Sequence, residues 1–121
     1  MAVILVVDDD DDLRTVIADA LTPTCSVVTA RTGREALVAI HTKGPFDLIL
    51  SDLTMPELGG VELYWHLVQI VPDLARRMIF MAAGAVPVCT RPLIDHVPFI
   101  AKPLDVRELR ALVAKLIAES A

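Results

Sequence analysis

Three aspartates and a lysine stand where short apolar runs stop. The run Val3–Val7 ends in Asp8-Asp9, Phe46–Ser51 ends in Asp52, Met78–Ala82 ends in Ala82 itself, and Val97–Ala101 ends in Lys102-Pro103. Carboxylates brought together repel, and each raises the others' pKa unless a cation neutralises them. A small cluster of hard oxygen donors suits Mg²⁺, which keeps several waters and takes only one or two protein carboxylates. A lysine beside them adds a point charge able to contact a phosphoryl oxygen. Together they read as a site for one phosphoryl group, and a carboxylate nucleophile that forms an aspartyl phosphate is an established chemical strategy.

Such a site needs a scaffold that brings strand ends together. The apolar runs, with Cys25–Thr29 as the second in order, are rich in Val, Ile, Leu and Phe, as expected of strands buried on both faces. Between them the spacing is helical. Leu13, Val16, Ile17, Ala20 and Leu21 make one stripe, and Leu109, Leu112, Val113, Leu116 and Ile117 repeat it. Ala36, Leu37 and Ile40 mark a shorter helix, and Val61, Tyr64, Leu67 and Val68 another. Strands separated by helices imply βαβ units, hence an α/β fold with a doubly wound five-stranded parallel sheet and helices on both faces. In such a sheet ligands bind beyond the carboxyl ends of the strands, near the point where strand order reverses.

Composition narrows the class. The 121 residues suit one domain, 1–121, that can bury roughly two-thirds of its unfolded surface. A hydrophobic content of 55% excludes intrinsic disorder, and 4% aromatics leave the core to aliphatic side chains. The net charge of -5 argues against direct nucleic-acid binding, which draws its affinity from Lys and Arg on phosphates. No apolar run approaches the roughly 20 residues of a membrane helix, and the N-terminus lacks the basic flank of a signal peptide. Cys25 and Cys89 form no C-x-x-C pair and read as reduced core thiols, which points to the cytoplasm.

The ordered motifs resemble a family. Ile4-Leu-Val-Val-Asp-Asp-Asp-Asp-Asp-Leu-Arg14, then Phe46-Asp-Leu-Ile-Leu-Ser-Asp-Leu-Thr-Met-Pro-Glu-Leu-Gly-Gly60, then Ala101-Lys-Pro103 resemble the CheY-like receiver domain of two-component response regulators over essentially the whole chain. The resemblance implies a flavodoxin-like receiver with strand order 2-1-3-4-5. It implies Asp52 as phosphoacceptor, Asp9 as a direct Mg²⁺ ligand, Asp8 acting through water, and the Thr54 backbone carbonyl as a further ligand. It makes Lys102 the phosphoryl contact, with the Lys102-Pro103 bond cis, an isomer that costs far less before proline than elsewhere. Met55-Pro56 and Gly59-Gly60 would shape the loop after Asp52, glycine permitting positive φ, with the next helix starting at about Val61. The implied partners are a sensor histidine kinase or phosphotransfer protein, and a downstream protein that docks on the face of helix four, strand five and helix five. The chain would be no enzyme beyond catalysing its own phosphorylation and dephosphorylation.

Three departures stand out. The family ends its fourth strand in Thr or Ser, whose hydroxyl binds the phosphoryl group; here Ala82 takes that place and its backbone alone can serve. The aromatic switch partner, three residues before the lysine, is Phe99, which has no phenolic hydroxyl. A ligand shifts a conformational equilibrium only through differential contacts, and one such contact is missing. Val86–Pro98 also carries three prolines where helix four belongs, so that helix should be short or irregular, starting near Arg91. These features raise a rival reading, a receiver-fold adaptor that binds a protein partner without phosphorylation.

Other readings are weaker. Asp10, Asp11 and Asp12 read as the cap and first turn of a helix. A calcium loop fails because Leu13 and Asp19 stand where Gly and Glu are needed. An aspartate-nucleophile phosphohydrolase, suggested by Ile4-Leu-Val-Val-Asp-x-Asp, lacks a cap and further motifs. His41, His66 and His96 lack metal-ligand spacing, and Tyr64 and Trp65 read as helix surface or packing.

Overall fold

The computed structural model describes residues 1–53, 55, 58–83 and 97–120. In chain order these form β1 (Ala2–Val7), α1 (Asp11–Leu21), β2 (Cys25–Ala30), α2 (Gly33–Lys43), β3 (Leu48–Asp52), α3 (Gly60–Ile70), α4 (Pro72–Ala75), β4 (Met78–Ala82), β5 (Phe99–Ala101) and α5 (Val106–Ser120). The five strands make one parallel sheet in the order β2-β1-β3-β4-β5. Val7 lies opposite both Ala30 and Ser51, so the last residues of β1 and β3 come side by side at one edge of the sheet.

Period-two alternation sends successive strand residues to opposite faces, and both faces are buried. Leu5, Val7, Ile49, Met78 and Phe80 pack with Ala36, Ala39, Leu63 and Leu67 from α2 and α3. Ile4, Val6, Leu48, Leu50, Ile79 and Met81 pack with Ile17, Leu21, Leu109 and Val113 from α1 and α5. Each Val, Leu, Ile, Met or Phe side chain among them contributes about 1.5–3 kcal/mol on full burial. Phe80 is completely buried near the middle of the sheet, with Tyr64 edge-on at 6.2 Å between ring centroids. Trp65, edge-on to Tyr64 at 5.3 Å, is 54% exposed on the outer side of α3.

Caps place the helix starts. The Asp10 carboxylate accepts from the N–H groups of Asp12 and Leu13, as expected for this acidic run. Thr32 Oγ1 accepts from Glu35 N–H, and Asp105 accepts from the N–H groups of Arg107 and Glu108 at the head of α5. Glu62 accepts from Gly59 N–H and closes the start of α3.

Three details differ from the sequence reading. The helix α4, one turn led by Pro72, was not expected, because four residues show no period. On α3 the inward residues are Gly60, Leu63 and Leu67, while Val68 is exposed. Gly59 and Gly60 do not serve through positive φ: Gly59 has φ −81° and Gly60 is the first helical residue. They serve through close approach, since a Cβ on Gly60 would run into the Asp52 carbonyl oxygen and one on Gly59 would lie 3.1 Å from that of Leu53. The helix expected near Arg91 falls, with Cys89 and His96, on residues 84–96, outside the described residues. Cys25 is a buried free thiol. No helix among the described residues is long and apolar enough to cross a membrane.

Candidate functional site

The site begins with where β1 stops. Asp8 is the first residue beyond that strand, and its N–H donates to the Ala30 carbonyl at 3.2 Å, extending the ladder one step. This draws an acidic side chain wholly inside the protein, at 0% exposure. An ion so placed is costly unless its oxygens are paired. Oδ1 of Asp8 accepts from Asp10 N–H at 2.9 Å, and Oδ2 accepts from Lys102 Nζ at 2.9 Å.

Asp52 closes β3 and is also buried. Just after it, Leu53 donates to the Met81 carbonyl at 2.8 Å and accepts from Gly60 N–H at 3.1 Å. The acid therefore sits between a strand partner and the tip of α3. Lys102 follows β5, with its N–H on the Ala82 carbonyl at 2.8 Å. Its ammonium lies 3.3 Å from Asp52 Oδ2 as well as on Asp8. Asp9 is exposed at the mouth, and one carboxylate oxygen from each of Asp8, Asp9 and Asp52 lies within 4.8 Å of the others.

These distances suit a divalent ion. Ligands facing each other across Mg²⁺, at about 2.1 Å each, stand roughly 4.2 Å apart. Oxygens no more than 4.8 Å apart are close to that spacing, and a small side-chain adjustment or a bridging water on one carboxylate would complete the fit. Three carboxylates against one ammonium leave two negative charges, the charge of one such ion. The Lys102 ammonium feels opposing influences: burial lowers its pKa, but the hydrogen bond to Asp8 and the charges of Asp52 and Asp8 outweigh it. Its pKa lies above the ordinary lysine value of 10.5.

Of the remaining expected residues, Ala82 ends β4 with its methyl group buried, and no hydroxyl is available there. Phe99 is half-buried in β5 opposite Phe80. The Lys102-Pro103 bond is cis, and Gly60 abuts Asp52 as described. Thr54 and Pro56 lie outside the described residues. One residue was missed: Arg14, whose Nη1 donates to the Asp8 carbonyl at 2.7 Å. Its only signal in the sequence is a cation four residues after the capping Asp10.

A doubly wound sheet with an acidic triad and a lysine at its carboxyl edge defines a class. Residues 4–114 match the response regulator receiver domain family, and the chain belongs to it. It is 37% identical over 119 residues to the DNA-binding transcriptional regulator NtrC of Klebsiella pneumoniae, an alignment covering 93% of this chain and 24% of that one. The chain thus spans about a quarter of the length of that relative. The fold is similar to the receiver domain of Francisella response regulator 1452, with TM-score 0.85, 25% identity and 100% of each chain covered. It is also similar to response regulator protein TrrA of Thermotoga maritima in complex with Mg²⁺ and BeF, with TM-score 0.80, 27% identity, 96% of this chain and 99% of that one covered.

Proposed function

We propose that this chain, as one receiver domain over 1–121, accepts a phosphoryl group on Asp52 from a histidine kinase or phosphotransfer protein in the cytoplasm. The observation that carries the reading is the meeting of Asp52 with Asp8, Asp9 and Lys102 in one pocket. An Asp52 oxygen attacks phosphorus, a P–O bond forms, the P–N bond of the donor phosphohistidine breaks, and its electron pair returns to the imidazole nitrogen. Asp9, Asp52 and the Thr54 carbonyl would hold Mg²⁺ directly, with Asp8 acting through water. Bound Mg²⁺ would screen the charge on the phosphoryl oxygens. Lys102, already 3.3 Å from Asp52, is placed to leave that carboxylate for a phosphoryl oxygen once the acyl phosphate forms. The same groups serve the slow return reaction, in which water attacks phosphorus and Asp52 leaves. That TrrA is described with Mg²⁺ and BeF supports this assignment of the pocket.

The test is incubation with Mg²⁺ and acetyl phosphate, followed by intact mass. One phosphoryl group is expected on the wild type and none on Asp52→Asn; an unmodified wild type overturns the reading. A second reading is favoured by the buried methyl of Ala82, which cannot donate to a phosphoryl oxygen. In it, the chain is an adaptor that binds its partner constitutively, whether or not Asp52 is phosphorylated, through the face that includes β5 and α5. Partner binding unchanged by Asp52→Asn and by beryllofluoride would select that reading.

A further inference from the structure

Beside the acidic pocket lies a cation that neither the phosphoryl chemistry nor the ion pairing at the Asp8 carboxylate uses. Arg14, on the first turns of α1, is buried for a guanidinium, with its side chain 12% exposed. It turns back towards the end of β1, where Nη1 donates to the Asp8 carbonyl at 2.7 Å while Nη2 pairs with the exposed carboxylate of Asp11. The Arg14 N–H donates to the Asp10 carbonyl at 3.0 Å, so the same residue grips the loop through backbone and side chain.

The consequence falls on Asp9. The carbonyl gripped by Arg14 belongs to the peptide that joins Asp8 to Asp9, and its orientation sets the direction in which Asp9 leaves the backbone. On one side of Asp9, the Asp8 carboxylate is held by Lys102 and Asp10 N–H. On the other, Asp10 is held as the cap of α1. Asp9 itself is exposed, so its neighbours must aim it.

We propose that Arg14 is a positioning residue for the divalent-ion site, fixing the Asp8–Asp9 peptide so that the Asp9 carboxylate points at the ion. This rests on the reading of the pocket as a Mg²⁺ site. The sign of the effect separates it from simple electrostatics. A guanidinium near the pocket repels a cation, so by charge alone removing it would tighten Mg²⁺ binding. By positioning, removing it weakens binding, as loss of groups that orient metal ligands does elsewhere, typically by 10–100-fold.

The experiment is a titration of the full chain with MgCl₂, without any phosphodonor, followed by the backbone amide shifts of Asp9, Asp10 and Lys102. Arg14→Met should bind Mg²⁺ about tenfold more weakly than wild type. The effect should vanish in an Asp9→Asn background, because the two residues act through one contact to the ion. Arg14→Lys keeps the charge but loses the two-point grip and should weaken binding by about threefold, less than the 10–100-fold typical when an orienting group is lost outright. It carries the test should Arg14→Met fail to fold. Equal or tighter binding by these variants overturns the role of Arg14 while leaving the metal site standing. A wild type that binds no Mg²⁺ overturns both.

Discussion

The Lys102 ammonium stands 2.9 Å from Asp8 Oδ2, pairing two residues 94 positions apart in the chain. Asp8 follows β1, second in the sheet order, and Lys102 follows β5 at its far side, so the lysine reaches past the ends of β4 and β3 and touches Asp52 on the way. One ammonium thus ties the two buried carboxylates of the pocket together.

Removing it exposes what it offsets. Lys102→Met leaves the fully buried Asp8 carboxylate with Asp10 N–H as its remaining hydrogen-bond donor among the described residues. The loss should be about 2 kcal/mol, the worth of a hydrogen bond between charged groups. Urea unfolding measures it, and millimolar Mg²⁺ should recover part of the loss by supplying the missing positive charge.

The dependence on pH follows from the direction of the lysine shift. Its pKa is higher folded than unfolded, so the stabilisation is fully present below the unfolded value of 10.5 and is lost as pH rises through the folded value. The stability gap between wild type and Lys102→Met should therefore be flat as far as this group is concerned from pH 7 to about 9 and close only above about 10.5. Urea midpoints for both proteins across that range give the curve.

Asp9 should behave in the opposite sense. It is exposed and lies beside two buried acids, so without metal its charge opposes folding. Asp9→Asn should stabilise the metal-free protein by about 1 kcal/mol, the repulsion expected near 5 Å in a well-solvated site. The same change should reduce the additional stability that Mg²⁺ gives the wild type, which paired melts with and without the ion would reveal.

In the proposed reading Ala82 limits how far a phosphoryl signal travels. With a buried methyl at the end of β4, beryllofluoride should shift amides close to the pocket in the wild type. Ala82→Thr adds a hydroxyl donor at a cost of about 1 kcal/mol in packing. Its beryllofluoride shifts should extend along β4 and β5 to Phe99, which pairs with Phe80. Identical shift maps for the two proteins would remove Ala82 from the argument.

Gly60 tests the contact between α3 and the end of β3. Helix propensity alone predicts that Gly60→Ala gains about 1 kcal/mol. The Asp52 carbonyl occupies the place of the new methyl, so the observed change should instead be a loss of roughly 1–3 kcal/mol. Acetyl phosphate labelling should slow along with it.

Much of this was legible in the sequence because strands buried on both faces read as continuous apolar runs, and the residue that stops each run is the residue at the sheet edge. Met78–Ala82 emerges with the bounds read from the sequence, and Asp8, Asp52 and Lys102 meet where the topology requires. What was hidden depends on three-dimensional approach rather than on period. Gly60 is small because of a carbonyl eight residues earlier, which no local rule for glycine reveals. Leu63 and Val68 are both apolar on α3, and only packing decides that the first is buried and the second exposed. Arg14 beside Asp11 looks like an ordinary solvated i,i+3 pair until the fold turns its other nitrogen onto Asp8.

Trp65 has an optical consequence. The chain has one tryptophan, and in the native state its indole already stands largely in water on the outer side of α3. Its emission should be red-shifted in the folded protein and change little in wavelength on denaturation, leaving mainly an intensity change as the edge-on Tyr64 ring departs. Trp65 is thus a beacon for whatever settles on α3, and a nearly silent one for events at the aspartates.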